Sequence, residues 1–185
     1  LILGLDISTS CTGYSLFDSV GNLIDIGYVR LDPKTNVFSR VTDVSNSISE
    51  VIVGKELDII FIEENLQAFR PGLSSAKTLL TLARFNGMVS YQMYVLTGKV
   101  PTYINVNAAR KALGIKLDRK SEVTTKDQIH SWVDNDPSFT NTSITWPYKI
   151  LKSGPRKGLE ILDPVAYDMA DAYVIAKAGI QLAIK

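Results

Sequence analysis

Four acidic residues stand where an apolar run would otherwise continue: Asp6, Glu63, Asp168 and Asp171. Asp6 ends the run Leu1-Ile2-Leu3-Gly4-Leu5, and Glu63 ends Ile59-Ile60-Phe61-Ile62. Near the C-terminus, Val165, Asp168, Asp171, Ala172, Ile175 and Gly179 follow helical spacing, so both aspartates fall on the stripe that should face a sheet. A buried, unpaired carboxylate is costly, and four together need cations to hold them. The chemistry this predicts is metal chemistry. Carboxylate oxygens around a shared space suit one or two Mg²⁺ ions. Two ions about 4 Å apart activate an attacking water and stabilise the leaving oxygen of a phosphodiester. Zinc fits poorly, because Cys11 and His130 are too few and show no paired ligand spacing.

The elements that must position these acids can be read in order. Leu1 to Asp6 lacks polar alternation and predicts a strand covered on both faces. Thr12 to Asp18 follows as a second strand, and Ser19-Val20-Gly21-Asn22 turns the chain into a third, Leu23 to Arg30. Val37, Val41, Val44, Ile48 and Ile52 predict an amphipathic helix ending near Gly54. Strand four is Asp58 to Glu63, Glu64 to Leu73 is a loop around Arg70-Pro71-Gly72, and a long helix runs from about Ser74 to Leu96. Thr102 to Val106 predicts strand five, with Asn105 or Asn107 capping a short helix through Leu113. A further helix covers Thr124 to Asp134. From Asp136 to Leu162 no periodicity survives, and Pro137, Pro147, Gly154, Pro155 and Gly158 predict a long irregular connection. Asp163 and Pro164 then start the last helix.

The long helix is apolar on two sides. Ala76, Leu79, Leu80, Ala83, Gly87, Tyr91 and Tyr94 form a small-residue stripe suited to close packing on the sheet. Leu82, Phe85, Val89 and Met93 form a second stripe that needs another helix or another subunit. An intrachain neighbour and a dimer partner are equally compatible with this second stripe, whose residues are the candidates for a dimer interface.

At 185 residues, with no Pro/Gly/Ser-rich linker, the chain reads as one domain. Its 45% hydrophobic and 21% charged residues are ordinary for a globular protein, and no apolar stretch approaches a membrane span. The chain opens directly on a strand, with no basic-then-apolar leader, so the expected location is cytoplasmic or nucleoid-associated, with a phage or organellar source left open. Cys11 alone makes no internal disulfide and reads as a small core residue.

A net charge of +1 excludes whole-surface attraction to nucleic acid, but the basic residues are grouped. Arg110, Lys111, Lys116, Arg119, Lys120 and Lys126 face only Asp118 and Glu122 in their segment, while Lys149, Lys152, Arg156 and Lys157 meet no acid between them. Such patches beside an acidic metal site suit a phosphodiester substrate, whose flanking phosphates must be held. Taken singly, each patch is equally compatible with a solvated loop.

Gly4-Leu5-Asp6-Ile7-Ser8-Thr9-Ser10-Cys11-Thr12-Gly13-Tyr14-Ser15-Leu16-Phe17-Asp18, then Ile59 to Glu64 (IIFIEE), then Tyr167 to Ala176 (YDMADAYVIA), resemble in order the RuvC family of Holliday junction resolvases. The last motif is the most specific. The resemblance implies an α/β, ribonuclease H-like mixed five-stranded sheet, three antiparallel strands then two parallel, flanked by helices. It also implies a homodimeric endonuclease that makes paired symmetric nicks in four-way DNA junctions with two Mg²⁺ or Mn²⁺ ions per active site. Asp6 resembles the family's first-strand carboxylate, Glu63 its fourth-strand glutamate, Asp168 and Asp171 its helix pair, and Lys126 a basic residue near the scissile phosphate. Glu64 points the other way along the strand and reads as solvated or ion-paired. Phe69, in an Arg/Pro/Gly loop, is the candidate for stacking on an unpaired base, with Arg70 and Lys77 beside it among the DNA-binding residues.

Three alternatives compete. A broader branched-DNA nuclease shares the same site. A silent DNA-binding module would gain nothing from buried acids that repel phosphate. The opening hairpin also resembles the phosphate-binding hairpin of actin-like ATPases and sugar kinases, but those need a second domain that 185 residues do not supply.

Overall fold

The computed structural model describes residues 1–64 and 75–183. Five strands form one sheet in the order β3-β2-β1-β4-β5, built from β1 (Ile2–Ile7), β2 (Cys11–Phe17), β3 (Leu23–Arg30), β4 (Ile59–Glu63) and β5 (Thr102–Ile104). β1–β2 and β2–β3 are antiparallel, whereas β1–β4 and β4–β5 are parallel. This is the mixed sheet the motifs predict.

Strand alternation divides the molecule into two cores. Leu3, Leu5, Leu16, Ile60 and Ile62 face α1 (Val37–Ile52) and α2 (Ala76–Thr97), where Val41, Val44, Ile48, Phe85, Val89 and Met93 complete a fully apolar layer. The other face, with Ile2, Phe17 and Phe61, carries α6 (Val165–Ala183) and beyond it α3 (Val106–Ala112) and α4 (Thr125–Asp134). α6 lies unusually close to the sheet. A β-carbon on Gly4 would lie 2.5 Å from the Ala176 β-carbon, and one on Gly179 would lie 2.4 Å from the Phe61 ring. Ser15 secures the approach by donating to the Ala172 carbonyl at 2.9 Å.

β5 stops at Ile104 rather than Val106 because Asn105 leaves the strand to cap α3, its side chain accepting from the Asn107 N–H at 3.0 Å. The connection from Asp136 to Leu162 is a larger departure. It holds α5 (Pro137–Thr140) and a hairpin of β6 (Tyr148–Ile150) and β7 (Glu160–Leu162). Elements of three or four residues are too short to leave a periodic signature.

The two faces of α2 are the reverse of the sequence expectation. Phe85, Val89 and Met93 are fully buried against α1 and the sheet of the same chain, and Leu82 is half-buried, so this stripe offers no surface to a second subunit. Leu80 is 72% exposed, Tyr91 62% and Tyr94 46%, on the stripe assigned to the sheet. The stripe of Leu82, Phe85, Val89 and Met93 carries no hydroxyl and takes the interior, where a tyrosine hydroxyl would need a partner. The close helix–sheet approach that small residues permit is made by α6 instead. Among the described residues, no helix is long and apolar enough to cross a membrane.

Candidate active site

In-register pairing of β1 with β4 runs from Ile2–Ile59 to Leu5–Ile62, so the next step sets Asp6 beside Glu63. Both occupy the alternation class of Gly4 and Phe61, which faces α6. Asp168 and Asp171 lie in the first two turns of α6, which crosses β2 at Gly13. The four carboxylates thus converge at one end of the sheet, close enough for the charges of Glu63, Asp171 and Asp168 to act on Asp6. Burial pushes Asp6 well above the ordinary carboxylate range, and the negative charges of Glu63, Asp171 and Asp168 push it further. Burial, then repulsion from Asp171, lifts Glu63 to about 7. Burial lifts Asp171 to about 6 against the opposing pull of Arg110 and Lys126. Asp168 is raised by burial and moderated by a hydrogen bond from the Cys11 thiol.

Two cations answer this charge. Arg110 Nη2 approaches Asp171 Oδ1 to 4.0 Å with only 20% of its side chain exposed. The sequence places Arg110 with the outer basic patch; the structure turns it inward, because Ala109 beside it docks α3 on α6. Lys126 sits at the start of α4, exposed, and its charge opposes the rise at all four carboxylates. Tyr167 steers it: Lys126 Nζ lies 5.6 Å from the Tyr167 ring centroid, and the Tyr167 hydroxyl donates to Asp127 at 2.5 Å.

Asp6 and Glu63 open onto a cavity of about 210 Å³ that Ile7, Ser8, Glu64, Leu79 and Leu82 also line. Glu64 accepts from Asn105 Nδ2 at 3.3 Å, away from the carboxylate cluster. Lys111, Lys116 and Arg119 share with Arg110 a shallow groove of about 400 Å³, and with Lys120 they are exposed. Lys77 is exposed on α2, and Lys152, Arg156 and Lys157 are exposed on the β6–β7 tip. Phe69 and Arg70 lie outside the described residues.

The donor set suits a hard divalent cation in kind and charge, and the buried Arg110 Nε has no hydrogen-bond partner at the pocket wall. Among the described residues, no three His, Cys, Asp or Glu side chains are gathered tightly enough to hold a metal ion. The four acids form a loose cluster rather than a closed coordination shell.

Sequence reasoning missed Cys11, and it named Arg110 among the DNA-binding cations without its contact to Asp171. Cys11, read as filler, occupies the α6 face of β2 and reaches Asp168; the alternation that places Gly13 on that face was the available signal. Arg110 carried no signal beyond its basicity.

The sequence profile of the family "Crossover junction endodeoxyribonuclease RuvC" matches residues 2–132. The chain belongs to the RuvC family. RuvC from Campylobacter lari is 23% identical over 125 residues, covering 66% of this chain and 75% of that protein. RuvC from Campylobacter curvus is 25% identical over 125 residues, covering 66% and 76%. Thermus thermophilus RuvC in complex with a Holliday junction substrate superposes with a TM-score of 0.63 at 15% identity, over 99% of this chain and 94% of the other. A second T. thermophilus RuvC structure gives 0.59 at 17% identity, over 99% and 95%. These superpositions show that the RuvC fold extends past Trp132, where the profile match ends, to α6 and its two aspartates.

Proposed function

We propose that this protein is a metal-dependent endonuclease that resolves four-way DNA junctions. Asp6, Glu63, Asp168 and Asp171 form the metal-binding and catalytic set. The observation that carries this reading is the half-buried Asp6 facing the charges of three other carboxylates, a costly arrangement that a bound cation relieves. RuvC enzymes work with a divalent metal; here the cations are two Mg²⁺ ions, with Mn²⁺ as a substitute. Bound in this pocket, they supply activation of the attacking water and charge stabilisation of the leaving oxygen.

The chain's own groups do the rest. Asp6 and Glu63 present adjacent oxygens from rigid parallel strands, and Asp168 and Asp171 close the pocket from a helix that cannot lift away from Gly4 and Gly13. Arg110 holds Asp171 and stands beside the position of the scissile phosphate. Lys126, steered by Tyr167, places a positive charge over the site to receive the substrate's negative charge. Lys111, Lys116, Arg119 and Lys120 continue that charge outward to hold the flanking backbone, with Lys77 on the α2 side.

Paired symmetric nicks need two such sites related by a twofold axis. A second copy would dock on the outer face of α2, where Leu80, Tyr91, Tyr94 and Val95 are exposed and nothing stands within 4 Å of a β-carbon built on Gly87. A mid-helix glycine costs about 1 kcal/mol relative to alanine, a cost that close approach of a partner helix explains.

The test is cleavage of four-way, three-way, flap and linear duplex DNA with and without Mg²⁺, beside Asp6→Asn. Symmetric, Mg²⁺-dependent nicking of the four-way junction alone, abolished in Asp6→Asn, is expected. Equal cutting of every branched substrate would make the protein a broader nuclease, and absence of any metal-dependent cleavage would overturn the reading.

A further inference from the structure

The β6–β7 hairpin lies outside the carboxylate pocket, yet it is ordered by its own hydrogen bonds. Beyond the paired strands, Leu151 N–H donates to the Leu159 carbonyl at 2.9 Å and Gly158 N–H returns to the Leu151 carbonyl at 2.8 Å. Lys157 N–H donates to Gly154 at 3.1 Å, and positive φ angles at Gly154 (80°) and Gly158 (88°) close the tip. Every residue from 152 to 160 is exposed. Tyr148 (60%), Ile150 (62%) and Leu159 (54%) expose apolar side chains that no intrachain neighbour covers. The hairpin carries Lys149, Lys152, Arg156 and Lys157 against Glu160 alone.

Its base is tied to the active-site end of the sheet. Asp163 N–H donates to the Pro147 carbonyl at 2.9 Å, and the Asp163 carboxylate takes Arg30 at 2.9 Å and Lys149 at 3.9 Å. Asp168 follows five residues later, about 7.5 Å along the helix at 1.5 Å per residue. The ribbon therefore springs from the same end of the fold as the carboxylates, on the β3 side, and its paired part, Pro147 to Leu151, runs about 13 Å at roughly 3.3 Å per residue before the turn.

We infer that this hairpin is a groove-reading ribbon that engages duplex DNA in one arm of the substrate; the inference rests on the nuclease reading above. Two strands about 4.8 Å apart match a major groove about 12 Å wide, which admits a two-stranded ribbon. The uninterrupted positive tip matches phosphates on either wall, and Tyr148 and Ile150 supply the apolar contact that base edges accept. A purely electrostatic tether would need neither the ordered tip nor the exposed apolar side chains. Lys152, Arg156 and Lys157 set affinity, and Tyr148 and Ile150 set register along the arm.

The experiment measures binding of the full chain carrying Asp6→Asn to a four-way junction and a linear duplex, in chelator, across a salt series. Adding Lys152→Ala, Arg156→Ala and Lys157→Ala should weaken junction binding about tenfold at 0.1 M salt and flatten the log affinity–log salt slope by about 2 to 3. The melting temperature should match the parent. Tyr148→Ala with Ile150→Ala should weaken binding while leaving the salt slope unchanged, and should erase a protected patch on one arm in hydroxyl-radical footprinting. Unchanged affinity and slope in the triple variant, with the parent still binding the junction, would overturn the ribbon and leave the nuclease reading standing. A change in the free protein's sedimentation without a change in DNA affinity would reassign the hairpin to protein contact and likewise overturn it. A parent that binds no branched DNA would sink both.

Discussion

Gly13 and Asp168 touch through their main chains: a β-carbon on Gly13 would lie 2.0 Å from the Asp168 carbonyl oxygen and 2.3 Å from its carbonyl carbon. No side chain fits there, and the obstacle is backbone that cannot rotate aside. Gly13→Ala should therefore displace the start of α6 and with it Asp168 and Asp171. Overpacking of this kind costs roughly 1–3 kcal/mol or more. We expect Mg²⁺-dependent junction cleavage to fall by two orders of magnitude or more, while far-ultraviolet circular dichroism retains the α/β signature. Cleavage within tenfold of the parent would show that α6 adjusts freely.

The carboxylate pocket predicts an inverted pH dependence. Glu63 and Asp171 are lifted to about 7 and about 6, and Asp6 also rises, so the folded chain holds protons more tightly than the unfolded chain does. Metal-free stability should then rise as pH falls from 8 through 7 towards the ordinary carboxylate range, and be lost again as pH climbs. Thermal melts in chelator measure this. Asp6→Asn should raise the metal-free melting temperature at pH 8 by about 2–4 °C, the equivalent of roughly 1 kcal/mol, and by less at pH 5. With Mg²⁺ present the order should reverse, because only the parent gains binding energy in the folded state.

Tyr167 acts on Lys126 in two separable ways. Tyr167→Phe removes the bond to Asp127 but keeps the ring beneath the ammonium; Tyr167→Leu removes both. A cation–π contact of about 0.5–1 kcal/mol corresponds to a further loss of about twofold to fivefold in kcat/KM for the leucine variant. In a Lys126→Ala background, that difference between phenylalanine and leucine should vanish. Persistence of the gap would assign Tyr167 to packing alone.

Subunit association distinguishes the two faces of α2. Leu80→Glu with Tyr91→Glu should convert a sedimenting dimer to a monomer with little change in melting temperature, since both side chains are exposed in the single chain. Phe85→Glu should instead unfold the protein, because Phe85 has no exposed surface. A parent that sediments as a monomer would remove the proposed interface.

The sheet and its acids were legible because β1 and β4 are uninterrupted apolar runs whose alternation carries through to Asp6 and Glu63. α6 was legible because Asp163 and Pro164 mark its start and helical spacing places its aspartates on a common stripe. α2 misled because it is apolar around most of its circumference, and composition alone does not say which side a neighbour takes. Arg110 misled because a basic residue on a short helix reads the same whether it faces solvent or an acid on a distant element such as Asp171. The β6–β7 hairpin was illegible because three-residue strands carry no period.

The contacts of Gly4, Gly13 and Gly179 set how closely α6 lies on the sheet, and Asp136 and Phe139 from the preceding stretch pack against its Tyr173 and Lys177. The exposed hairpin tip, residues 152–160, is consequently a natural graft point: its length can change without disturbing the core contacts of Asp136, Phe139 and Trp146. A lineage can acquire new substrate-handling parts there while its chemistry stays constant, and the hairpin occupies that permissive position.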